Sequence, residues 1–153
     1  MKDSEFKNLD HRIGTYRVAS RGKVVAKGYK PDITIVDKRG RLTFILECEQ
    51  KTDRKAFLGD LIKAEKYAED SHAHPVLVIV MQPESNSTVR QIANHLSIYA
   101  EWLSRRNGGA LSLAGIQVMS DEEYLAAVQE NELLTSKQFG ARATVVVQTI
   151  SPS

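Results

Sequence analysis

Residues 31–51 read PDITIVDKRGRLTFILECEQK, and this stretch decides the fold. Residues 32–36 are β-branched and apolar, and residues 42–49 form a second extended run. Between them, Asp37-Lys38-Arg39-Gly40 is a hairpin turn, with Gly40 free to take a positive φ. Side chains on a strand alternate between faces, so Phe44, Leu46 and Cys48 share one face. Ile45, Glu47, Glu49 and, while the strand continues, Lys51 share the other. The hairpin lays the strand that begins at Asp32 beside the one that ends at Glu47 and Glu49. Two or three carboxylates therefore converge near one end of a buried sheet.

The pattern around the hairpin extends this core. Thr52 or Asp53 can cap a helix reaching residue 70, with a stripe of Phe57, Leu58, Leu61 and Ile62. Residues 72–75 (HAHP) break it. Residues 76–81 (VLVIVM) are apolar at every position, as expected of a strand covered on both faces. A helix over 88–106 carries Ile92, Ala93, Leu96, Ala100 and Leu103 on its inner face and stops at Asn107-Gly108-Gly109. A short strand over 114–119 follows. Ser120 and Glu123 then read as a capping box opening a helix over 121–129. Residues 144–150 read as a last strand, at an edge or in a partner contact. Before the hairpin, residues 3–11 suggest a short polar helix, and 15–30 suggest two extended segments around Arg21-Gly22. The order predicts an α/β fold: one domain over 1–153, with a mixed central sheet flanked by helices.

Composition sets outer bounds. The 153 residues suffice for one core without disulfides, and the single cysteine, Cys48, excludes a disulfide framework and a cysteine zinc site. A lone cysteine fits a reducing, cytoplasmic setting. The first residues lack the apolar stretch of a secretory signal, and no apolar run is long enough to span a membrane. Charge is unevenly spread. Residues 1–55 hold 14 of the 21 Lys and Arg but 8 of the 19 Asp and Glu, a local excess of +6. A face that meets a polyanion needs such an excess.

Buried carboxylates are costly unless neutralised, and close like charges raise each other's pKa. A hard divalent cation resolves both problems. Mg²⁺ takes oxygen ligands and keeps several waters, so two or three carboxylates suffice. Such a cation lowers the pKa of bound water and stabilises charge on phosphoryl oxygens.

Pro31-Asp32, the hairpin, and an acid-x-Lys or acid-x-acid step at the end of an apolar strand resemble the PD-(D/E)xK nuclease superfamily. The resemblance covers roughly residues 1–82 and implies a restriction-endonuclease-like αβββαβ core, with residues 83–153 as a C-terminal α/β extension. It implies Mg²⁺-dependent hydrolysis of DNA, with Mn²⁺ able to substitute. Two registers are open. In one, Glu49-Gln50-Lys51 is the triplet; in the other, Glu47-Cys48-Glu49 is, with Glu49 in place of the lysine. Glu47, as the first acid past the apolar run, is the favoured metal ligand with Asp32. The resemblance adds the Cys48 carbonyl as a further ligand, and Glu49 or Lys51 to act on the water. Where the lysine has moved to the next helix, Lys55, Lys63 or Lys66 would replace it, and Glu5 would be the N-terminal helix acid. A binding or assembly subunit without catalysis on the same fold is the alternative.

Other residues carry less chemistry. His72 and His74 lack a third ligand and read as exposed. His95 reads as a core-boundary residue, and Cys48 as a small hydrophobe. Tyr99 and Trp102 suit packing or a dimer contact better than base stacking. A homodimer would bring two sites to a duplex. Its interface would use the 144–150 strand or the helix bearing Trp102.

Overall fold

A computed structural model describes residues 1–148. Its six strands are β1 (Arg17–Arg21), β2 (Ile33–Val36), β3 (Leu42–Glu49), β4 (Val76–Met81), β5 (Gly115–Ser120) and β6 (Thr144–Gln148). They lie in sequence order in one mixed sheet. β1, β2 and β3 form an antiparallel meander, β3 to β5 run parallel, and β6 returns antiparallel to β5. The fold is thus α/β, as the hairpin followed by alternating helices and strands implied.

The helices are α1 (Asp3–Asn8), α2 (Arg54–Asp70), α3 (Val89–Arg106), α4 (Asp121–Gln129) and α5 (Lys137–Arg142). α2 and α3 are the crossovers of the parallel strands and cover one face. Their Phe57, Leu61, Ile92 and Leu96 pack with Ile45, Leu77 and Ile79. Phe6 of α1, Tyr124 of α4 and Phe139 of α5 cover the other face, against Ile33, Leu46, Val78 and Val80. β4 feeds both cores, which is why every one of its positions is apolar.

The caps follow side-chain chemistry. Asp53 caps α2, accepting from the Lys55 N–H, and Thr88 with Gln91 forms a full capping box on α3. Ser120 caps α4 through the Glu123 N–H, but the expected box is only half made. The Glu123 carboxylate instead accepts from Arg142, whose guanidinium also grips Glu132. That clamp holds α5, a six-residue helix too short to have a readable stripe. The second extended segment expected before Lys30 is a tight turn instead. Gly28 takes a φ of +80°, the Val25 N–H donates to the Tyr29 carbonyl and the Tyr29 N–H to the Ala26 carbonyl. The last two residues of the expected 144–150 strand lie outside the described residues. No described helix is long and apolar enough to cross a membrane.

One buried acid is purely architectural. Glu65 of α2 accepts from the Leu113 and Ser112 N–H groups at 2.9 and 2.8 Å and from Asn107 Nδ2 at 3.4 Å. It ties the loop after α3 to α2. Glu65→Ala should destabilise the protein by about 3 kcal/mol, because it strands buried donors. Urea unfolding checks this, and a loss below about 1 kcal/mol would mean the loop is held by other contacts.

Candidate functional site

The hairpin delivers two carboxylates to one point by local geometry. Ile33 of β2 pairs with Leu46 of β3, so the next residues outward, Asp32 and Glu47, face each other. Each side chain bonds the other strand's backbone. The Asp32 N–H donates to Glu47 Oε1 and the Cys48 N–H donates to Asp32 Oδ2, both at 2.8 Å. These two bonds fix both side chains while leaving Asp32 Oδ1 and Glu47 Oε2 outside this exchange.

Asp32 and Glu47 line a cavity of about 490 Å³ with Cys48, Glu49, Tyr29, Lys30, Asp60 and Lys63. The cavity lies on the α2 side of the sheet, where Ile45 points into the α2–α3 core. Asp60 and Lys63 come from α2 at i and i+3, on neighbouring faces of the helix. Lys23, Lys27 and Lys30 stand exposed on the loop that contributes Tyr29 to the cavity wall. On the other side, Lys7 of α1 places Nζ 3.7 Å from Asp32 Oδ1 and 2.7 Å from Asp3. Gly22, at φ +64°, makes room for it, since a Cβ there would fall 2.8 Å from Lys7 Cε.

The electrostatics are those of crowded, dehydrated acids. Burial, opposed by the Cys48 amide, lifts Asp32 to about 6. Burial also lifts Glu47 to about 7, the Asp32 amide opposing and the Asp32 charge adding to the rise. Asp60 is pushed up to about 12 by burial and then by Glu49 and Glu47. Burial raises the Cys48 thiol to about 12, so it stays a neutral core group rather than a nucleophile.

The structure brings Asp32, Glu47, Cys48 and Glu49 together but leaves Lys51 exposed and outside the cavity wall. Of the α2 lysines, Lys63 lines the cavity; Lys55 is exposed, and Lys66 pairs with Asp70 at 2.5 Å. Glu5 is exposed and is not in the wall. A residue's N–H and C=O face the same neighbouring strand, so the Cys48 carbonyl turns to the Asp32 side of β3. Asp60 was not among the sequence candidates. Its signal was a charged residue inside the stripe Phe57, Leu61, Ala64, where an apolar side chain fits. Among the described residues, no three His, Cys, Asp or Glu side chains are grouped so as to hold a metal ion between them. His72 and His74 are exposed, with His74 Nδ1 against the Ser112 carbonyl. Tyr99 and Trp102 face solvent, the Trp102 ring under the Arg106 guanidinium.

No protein-family model matches the chain, and no curated protein or solved structure matches it either. The chemistry must therefore be read from the site itself. Its donors are all hard oxygens, two of them pre-positioned and short of positive charge. That donor set fits Mg²⁺ or Mn²⁺ and does not fit a soft metal.

The raised pKa values give a signed expectation. Carboxylates whose folded pKa exceeds the unfolded value add stability below about pH 4 that is lost as pH rises through 6 and 7. The metal-free protein should lose on the order of 4 kcal/mol between pH 5 and 8 from this pair. In D32N/E47Q the loss should shrink. Urea midpoints across that range test it, and a wild-type profile matching the double variant would contradict it.

Proposed function

We propose that the protein is a Mg²⁺-dependent endonuclease that hydrolyses phosphodiester bonds in DNA, of the PD-(D/E)xK kind that its hairpin resembles. One observation carries the reading: Asp32 and Glu47 are each held by an amide of the other's strand, from Cys48 and Asp32 respectively, while lining a cavity that lysines also line. Holding two carboxylates together costs stability, and a bound cation offsets that cost.

Asp32 and Glu47 would hold the cation, with the Cys48 carbonyl turned to the same side. The cation, when bound, supplies positive charge to the phosphoryl oxygens and acidifies water. Glu49 faces the same cavity and is the base that takes the proton from the attacking water. The Lys63 ammonium binds the scissile phosphate, the role the motif gives its lysine, and Lys30 gathers the backbone beside it. Exposed Lys23 and Lys27 extend that grip along the strand. A homodimer would supply two such sites to a duplex, and the buried, neutral Cys48 suits a reducing cytoplasm.

The exposure of Lys51 favours a second reading, a binding or assembly subunit that has lost catalysis. The two separate cleanly. Supercoiled and linear DNA incubated with Mg²⁺ or Mn²⁺ should be cut by the wild type and at least about 100-fold more slowly by D32N or E47Q. K63A should lose more than K51A. Salt-sensitive DNA binding with no cleavage under either cation, unchanged in D32N, would instead establish the binding subunit.

A further inference from the structure

We infer that the cation of this site takes a third carboxylate, Asp60 of α2, and that the Tyr29 hydroxyl holds a water of its shell. The inference rests on the cation reading proposed above and extends it to two residues the hairpin motif does not contain.

Both residues are buried, Asp60 at 9% and Tyr29 at 6% exposure. Asp60 Oδ2 and Tyr29 Oη have no hydrogen-bonding partner. Both line the cavity that Asp32, Glu47 and Glu49 line. An acceptor and a donor left unpaired in one cavity, and not paired to each other, require something between them. Asp60 also meets the Glu49 and Glu47 carboxylates at hydrogen-bonding range, an acid-on-acid contact that either a proton on Asp60 or a cation must hold together. Asp60 sits between Phe57, Leu61 and Ala64, where an apolar residue would pack at no electrostatic cost. Lys63, one turn on, is exposed. A divalent ion between β3 and α2 would displace that proton and gather Asp32, Glu47 and Asp60 as its ligands. The neutral Tyr29 donates to a water rather than to the ion, as groups behind metal ligands do.

The test uses the full-length protein and Mn²⁺, titrated by calorimetry and by the Mn²⁺ paramagnetic resonance signal. D60N is isosteric and keeps a donor toward Glu49 and Glu47, so its metal-free melting temperature should match the wild type's. Its Mn²⁺ affinity should fall at least about tenfold, and that of Y29F about threefold. D60N that binds Mn²⁺ as the wild type does, while D32N does not, would overturn the inference and leave the cation reading standing. A wild type that binds no Mn²⁺ would remove both. In the wild type itself, the Asp60 side-chain carboxyl carbon should shift on Mg²⁺ addition together with those of Asp32 and Glu47. An unmoved Asp60 signal beside two shifted ones would likewise overturn it, whatever the variant's folding.

Discussion

Everything in the site depends on one reciprocal interaction. Asp32 and Glu47 each accept the other strand's amide at the open end of the β2–β3 pair. Backbone amides can hold a carboxylate without cancelling its charge. The pair is therefore rigid and still electrostatically unsatisfied, the state in which a carboxylate has most to gain from a cation. The surrounding elements preserve that state. α2 covers the acids with more acid, and burial on both faces of β3 keeps the sheet from moving away.

The only described cation against Asp32 is the Lys7 ammonium, which also serves Asp3. At 3.7 Å it is a loose partner, and its stem depends on the missing side chain at Gly22. Under the proposed reading, a divalent ion at Asp32 Oδ1 would compete with this monovalent ammonium on a flexible stem. Arg21 bonds the carbonyls of Lys7 and Leu9 and so ties α1 to β1 near the same point. The buried His11, between the Phe6 carbonyl and the Tyr124 hydroxyl, anchors the same helix from the far side.

Much of this was legible in the chain. The hairpin, the face alternation of Phe44 to Glu49 and the two-sided burial of β4 follow from periods of two and from continuous apolar runs. The facing of Asp32 and Glu47 follows from the hairpin. What was not legible comes from elements distant in sequence. Lys7 and Asp60 reach the site through the docking of α1 and α2, and no local pattern encodes that docking angle. Tyr29 looked like part of a strand because Val24, Val25 and Tyr29 are good strand formers. Gly28 turns the chain there and sends the ring into the core. α5 escaped notice because six residues hold a single buried anchor, Phe139. Lys51 looked catalytic on spacing alone, yet the strand ends at Glu49 and the alternation that would aim it ends there too.

The central claim is that the Asp32–Glu47 pair is built for a cation. A crystal grown with Mn²⁺ and examined at the manganese absorption edge tests it most directly. One anomalous peak is expected about 2.0–2.3 Å from Asp32 Oδ1 and a Glu47 oxygen, with Lys7 displaced from Asp32. Crystals saturated with Mn²⁺ in which that point carries no anomalous density, and Lys7 still lies against Asp32, would contradict it.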